Sequence, residues 1–349
     1  MRLFDHIAQC STPLIVRQYC GDLWRLTGPS DYAPEVTRCP LRYVLTDELL
    51  RACIELAYSE GAGLAGCLDL IHLPAERLWI EWNGATQREQ IARMLPGNPA
   101  IGDVDSVHHG VLVSAHPGGR SGTWRTFWLP PAEPREPMLA AIETIIDLDG
   151  DALHGPAETL FDGSAVGVRD PRNRQVNETL RCASFQLDPV WQRYYTSVAC
   201  TAAERAHVIT GSVGAVAFDV PVLLALFLLL ALPSALERVP TRSERLNAKR
   251  RRLGKPPLLA HIEVSCPVLC AAGGAHHGDE LTTPRTAPRL HHVRGHIVRR
   301  RDVVFWRRSH WRGHLRLGCV RSRTATLRLP GTFVGPQGNP RNARSAGSQ

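Results

Sequence analysis

No glycine-rich phosphate loop, dinucleotide-binding glycine fingerprint, HExxH pair or nucleophile elbow occurs in the 349 residues. Reaction classes that carry such local patterns therefore find no support here. Lysine is nearly missing too: Lys249 and Lys255 are the only two, so the basic charge is arginine. The ten cysteines lack the spacing of a small secreted framework, and the N-terminal MRLFDHIAQC has Asp5 and His6 where a signal peptide has its apolar core. A cytoplasmic location is expected, with most cysteines acting as small buried hydrophobes. A hydrophobic content of 44% excludes disorder as the default and suits one large or two ordinary domains.

What is present is a division of charge. Residues 238–349 hold 23 of the 41 Lys and Arg but 5 of the 33 Asp and Glu, a net of +18, which leaves −10 for the preceding residues. A basic surface attracts nucleic acid, acidic protein faces or anionic lipid. The alternative is that the basic part docks on the acidic part of the same chain.

One long apolar run, VPVLLALFLLLALPSAL at 220–236, is followed closely by a basic cluster. A membrane span would suit that order, but the run is short, Pro233 interrupts its end, and backward extension brings in Asp219. A helix buried on all sides explains it better, with Asp219 as its cap and Pro221 in the first turn. No membrane span is expected.

Upstream, Thr46–Tyr58 has helical spacing and a capping threonine. Segments 78–82, 111–115 and 123–129 read as strands, the last two joined by the glycine-rich HPGGRSG loop. Segments 144–148 and 152–154 flank Asp149-Gly150, the usual chemistry of a hairpin turn. A helix is expected from Asp188 through Arg205, and a basic helix after Pro240 that ends at Gly254. The expected fold is α+β. An antiparallel sheet with a helix pair and the buried apolar helix fills 1–240, and a basic helix or linker occupies 241–257. A small basic β module follows at 258–330 with an inserted loop at 266–289, and 331–349 is expected to be disordered.

The C-terminal module carries the candidate chemistry. Arg294, Arg299, Arg301, Arg307, Arg308 and Arg312 supply guanidinium forks for phosphate, and Trp306 and Trp311 supply rings for base stacking. His292 and His296 are four apart, as are His310 and His314. On strands each pair would share a face, and a hairpin would bring all four onto zinc or another transition metal. Cys266, Cys270, His276 and His277 do not match a compact zinc spacing. Asp147, Asp149, Asp151 and Glu158 follow a calcium-loop spacing, but Ala152 stands where the loop needs glycine, so an ordinary turn is expected.

LLLALPSALERV at 228–239, RLNAKRRRLGKPPLLAHIEV at 245–264 and LHHVRGHIVRRRDVVFWRRSHWRG at 290–313 resemble, in that order, a group of uncharacterised bacteriophage and prophage proteins. LPAERLWIEW at 73–82 is similar to a strand near the front of those proteins. The resemblance implies a phage-associated origin and no activity. The expected function is that of a non-enzymatic phage-type accessory protein binding nucleic acid or an acidic partner, without a cofactor. The alternative is a metal-dependent hydrolase or nuclease using the paired histidines.

Overall fold

The computed structural model describes residues 1–266 except 12–14, 21–22, 59–63, 95–105, 132–135, 156–159, 161–164, 170–173, 198–200, 233–234 and 242. Beyond these it describes 289–293, 296–300, 303–307, 310–312 and 314–319. The chain divides into two compact units, Met1–Val268 with Gly295–Arg308, and Leu269–Arg294 with Ser309–Gln349.

The first unit is mixed α and β. Its elements open with α1 (Leu3–Ala8), β1 (Ile15–Cys20), β2 (Leu23–Thr27), α2 (Ala33–Arg38), β3 (Leu41–Leu45) and α3 (Asp47–Tyr58). Next come β4 (Arg77–Asn83), α4 (Gly84–Met94), β5 (His108–Ala115), β6 (Ser121–Leu129) and β7 (Met138–Asp147). Then follow α5 (Arg174–Leu180), β8 (Ala183–Leu187), α6 (Pro189–Ser197), α7 (Ala202–Ala217) and α8 (Asp219–Ala231). The main sheet closes with β9 (Glu237–Pro240), α9 (Glu244–Arg252) and β10 (Ile262–Ser265). Its ten strands run β1-β2-β7-β6-β5-β4-β3-β10-β9, with β8 alongside β7.

Most pairs are antiparallel, as expected, but β3 runs parallel to β4 and β10 parallel to β3. The sheet is therefore mixed. Ile262–Ser265, assigned from sequence to the C-terminal module, lies instead inside this sheet between β3 and β9. The hairpin expected across Asp149-Gly150 does not form either. The turn is there, with Gly150 N–H donating to the Asp147 carbonyl at 3.1 Å, but the strands that flank this part of β7 are β6 and β8.

Local chemistry accounts for the elements. Thr46 Oγ1 accepts from Leu49 N–H at the start of α3, and Leu49, Leu50, Cys53, Ile54 and Ala57 fall on its buried stripe. The single helix expected through Arg205 is two. α6 ends at Ser197, and α7 begins afresh with Thr201 and Glu204 satisfying each other's backbone N–H groups. The β5–β6 loop contains Gly119 at φ 67°, and Arg120 reaches from it to the carbonyls of Leu68 and Ile71 at 2.8 and 2.7 Å. Arg120 also pairs with Asp149, and Arg181 with Asp151. These carboxylates of the calcium-like spacing thus serve arginines. Glu158 lies outside the described residues.

Helices cover both faces of the sheet. On one, Phe4 of α1 stands edge-on to Trp79, which packs on Phe127 at 5.6 Å between ring centres. Gly110 makes room there, because a Cβ at that position would run into the Trp79 ring. On the other face lies α8, with Asp219 to Leu229 buried throughout. Phe227 packs on Trp124 at 5.8 Å, and Tyr58 of α3 donates to the Phe218 carbonyl just before α8. Ile209–Ala231 is long and apolar enough to cross a membrane, yet 72% of its apolar window is buried inside the protein. The run at 220–236 is thus chiefly a core helix, as its composition led one to expect. Phe227→Ala should destabilise the fold by about 3–5 kcal/mol, the usual cost of emptying an aromatic site in a packed core. Chemical denaturation monitored by circular dichroism reads this directly.

The C-terminal strands form two small sheets. β11 (Arg289–Val293), β14 (His310–Arg312) and β15 (His314–Cys319) belong to the second unit, in the order β14-β11-β15. β12 (His296–Arg300) and β13 (Val303–Arg307) pair as a hairpin within the first unit.

Candidate functional site

The expected four-histidine site required each pair to share one strand. Instead, β11 ends at Val293 and β12 begins at His296, so His292 and His296 stand on different strands. His310 and His314 likewise fall on β14 and β15. In register, His292 faces Trp311, His310 faces Val293, His314 faces Arg289 and His296 faces Arg307. Four-residue spacing therefore gives neither pair a shared strand face. Among the described residues there is no group of three or more His, Cys, Asp or Glu placed to hold a metal.

Of the expected phosphate contacts, Arg294, Arg301 and Arg308 lie outside the described residues. Arg299 lies on β12, and Arg307 and Arg312 are exposed on β13 and β14. Trp311 occupies β14. Trp306, expected as a stacking ring, is half-buried and packs against the hydrophobic core. Its alternation along β13 takes it to the side opposite the exposed Phe305 and Arg307.

A second basic surface is defined at side-chain level. β9 and β10 are antiparallel neighbours, and α9 is carried on the connection between them. Residues 241–258 hold seven Lys and Arg against one Glu. The helix is closed by a glycine end: Gly254, at φ 65°, donates to the Arg251 carbonyl, and Lys255 N–H donates to the Arg250 carbonyl at 2.9 Å. The returning chain is tied along it. Asn247 Nδ2 donates to the Leu258 carbonyl at 2.9 Å and its Oδ1 accepts from Leu258 N–H at 2.8 Å. Arg250 Nε donates to the Pro256 carbonyl at 2.8 Å. At the base, Thr241 Oγ1 donates to the His261 carbonyl, and Leu259 N–H donates to Asp5 Oδ1.

Each of these bonds holds backbone and leaves the remaining charges outward. Arg245, Lys249, Arg251, Arg252 and Lys255 are all exposed. Among the described residues, none of the five is in an ion pair. Leu246 and Leu253 are 51% and 60% exposed beside them. The basic helix expected after Pro240 and ending at Gly254 is thus present, and its exposed cations stand in addition to the phosphate contacts expected from the later arginines. The available signal was the combination of consecutive cations with an Asn and a Gly that fix the helix without using their charge.

The ionisable side chains inside the sheet are arranged differently. Asp219, expected to cap α8, turns its buried carboxylate toward the strands. It accepts from Gln87 Nε2 at 3.0 Å and Thr126 Oγ1 at 3.2 Å, with His109 Nε2 at 2.9 Å. Trp128 Nε1 donates to His109 Nδ1, which leaves the imidazole proton on Nε2, directed at Asp219. Trp82 stacks on the same ring at 4.4 Å and donates to Gln87. The network has a donor for every acceptor it presents, the signature of a polar core.

A second cluster crosses β6, β7 and β8, where Arg125, Glu143 and Gln186 are successive cross-strand neighbours. Arg125 pairs with Glu143 at 2.6 Å, and Gln186 donates to the other Glu143 oxygen. Asp188 receives Val190 N–H at 2.8 Å and the Tyr32 hydroxyl at 3.4 Å, with Arg125 Nε 4.0 Å away. Burial lifts the Asp188 carboxyl, and burial together with the Asp188 charge lifts the Tyr32 phenol above its ordinary range. Glu143 thereby ties β6 and β8 to β7, while Asp188 holds the start of α6 and the Tyr32 hydroxyl.

Glu81, buried on β4, holds the N-terminal helix. Its carboxylate accepts from Leu3 N–H at 3.0 Å, Phe4 N–H at 3.3 Å and Trp79 Nε1 at 3.2 Å, and His108 Nδ1 lies 3.3 Å away. Burial pushes its pKa up to about 7 from a reference value of 4.5, against the opposing pull of the Leu3 and Phe4 N–H groups. The folded state therefore binds this proton more tightly than the unfolded chain. The resulting stability is complete below about 4.5 and is lost as pH rises through about 7. Glu81→Gln should flatten the fall in melting temperature between those pH values, removing a dependence on the order of 1–3 kcal/mol. Thermal melts of both proteins across that range check the sign.

Comparison of the chain with known protein families, with curated proteins and with solved structures gave no match.

Proposed function

We propose that the chain is a non-enzymatic, phage-type accessory protein that binds nucleic acid through exposed cations, those of α9 foremost and those of the arginine-rich C-terminal strands by themselves. The observation that supports this reading is the set of exposed cations on α9 and its glycine end, held by backbone contacts that leave their charge unspent. Nucleic acid carries closely spaced phosphates at a density that an array of Arg and Lys neutralises with release of counterions. Binding on this scheme is driven by charge, sequence-tolerant and steeply weakened by salt. No metal takes part in it. Fluorescence anisotropy with a labelled duplex and a labelled single strand, repeated over a salt series, tests the reading. Binding that falls steeply with salt supports it. Binding of an acidic protein with no binding of either nucleic acid would replace the partner.

A further inference from the structure

The outward side of the β12–β13 hairpin pairs an exposed aromatic ring with arginine, and from this we infer a stacking platform for single-stranded nucleic acid, with Phe305 as the ring that receives a base. The inference rests on the nucleic-acid reading above and specifies which form of nucleic acid the hairpin takes. Three observations combine. Trp306 is half-buried against the core, so the pleat sends its neighbours Phe305 and Arg307 to the opposite side of β13. Phe305 is 39% exposed, and it is the one aromatic among the exposed large apolar side chains of the described residues. Arg307 beside it is exposed, and the segment 294–312 contains seven Arg and one Asp.

Trp306 thus anchors the hairpin while the strand next to it offers a ring face and a guanidinium two residues apart. Single-strand binders combine those two groups, a ring on which a base stacks and a cation that holds the backbone. Val298 sits opposite Phe305 in register and is itself only half-buried, so the ring lies on an open strip of the hairpin. A duplex keeps its bases stacked on each other and offers no free ring face, whereas a single strand does. The occupant that satisfies both the cations and the ring is therefore a single strand.

The test compares oligothymidylate with an abasic deoxyribose-phosphate chain of the same length, using the full chain and its Phe305→Ala and Phe305→Tyr variants. The intact protein should bind oligothymidylate about tenfold more tightly than the abasic chain, the scale of one base stacked on one ring. Phe305→Ala should abolish that preference without changing affinity for the abasic chain, and Phe305→Tyr should retain it. An equal preference in Phe305→Ala, or equal binding of both chains by the intact protein, overturns the platform while leaving the cationic surface in place. Failure of the intact protein to bind either chain overturns the platform, and failure to bind a labelled duplex as well overturns the nucleic-acid reading on which it rests.

Discussion

Replacing Lys249, Arg251, Arg252 and Lys255 together by Glu should lower affinity for nucleic acid on the order of a hundredfold or more at low salt, with the fold unchanged. The size follows from counterion release: each cation that neutralises a duplex phosphate adds about 0.9 to the slope of log affinity against log salt. Four such contacts, with a combined slope of about 3.6, compound over a fourfold range of salt to about 150-fold. The fold is spared because all four side chains are exposed and none makes an ion pair among the described residues. Arg250 is left in place because its guanidinium holds the Pro256 carbonyl. Acidic side chains in the last turn of a helix oppose its dipole, at about 0.3–1 kcal/mol each when exposed. A version carrying Gln at the four positions controls for that effect. It should lose most of the binding while melting at the temperature of the original protein. Anisotropy titrations paired with thermal melts separate the two contributions.

Asp219→Ala should be the most damaging single change in the protein core outside its large apolar side chains. The carboxylate serves Gln87, His109 and Thr126 at once, and its loss leaves three buried donors facing an apolar helix. A buried donor left unpaired costs about 1–3 kcal/mol, so the three together are a large share of the 5–15 kcal/mol that typically holds a domain folded. A fall in melting temperature of about 5–15 °C is the expected result. Asp219→Asn keeps one acceptor oxygen but turns an N–H₂ toward a donor, so it should recover only part of the loss. A variant with near-original stability would mean that water or a rearranged Gln87 supplies the missing acceptor. Nucleic-acid affinity of the folded fraction should be unchanged in either variant, since Asp219 lies in the sheet core and the cations lie on the surface.

The short-range features of this fold could be read from the letters. α3 begins where Thr46 caps it, and β4, β5 and β6 lie where aromatic and β-branched residues cluster. The apolar run becomes a buried helix because every turn of it meets other apolar atoms. Pairings between distant segments were not legible. Nothing local in Ile262–Ser265 distinguishes a strand parallel to β3 from one in a separate module, and Asp149-Gly150 makes the same turn whether or not a hairpin follows it. Asp219 illustrates the same limit. As a helix-start residue it looks like a cap, and only the arrival of Gln87, His109 and Thr126 from other elements turns it inward.

The candidate site divides along the same line. The basic helix and its end at Gly254 follow from composition and from the freedom of glycine to adopt positive φ. Which cations remain unspent depends on where Asn247 and Arg250 find carbonyls, and that requires the returning chain at 256–258. The histidine pairs show the cost of assuming strand continuity: His292 and His296 lie on strands with different pairing partners, although their spacing implied a shared face.

The most direct test of the cationic surface is the slope of log affinity against log salt for a labelled duplex, measured for the original chain and for the four-residue Gln variant. The account predicts a steep negative slope for the original chain that becomes shallower by about one for each cation removed. Identical slopes in the two proteins would contradict it, because the contacts that displace counterions would then lie elsewhere.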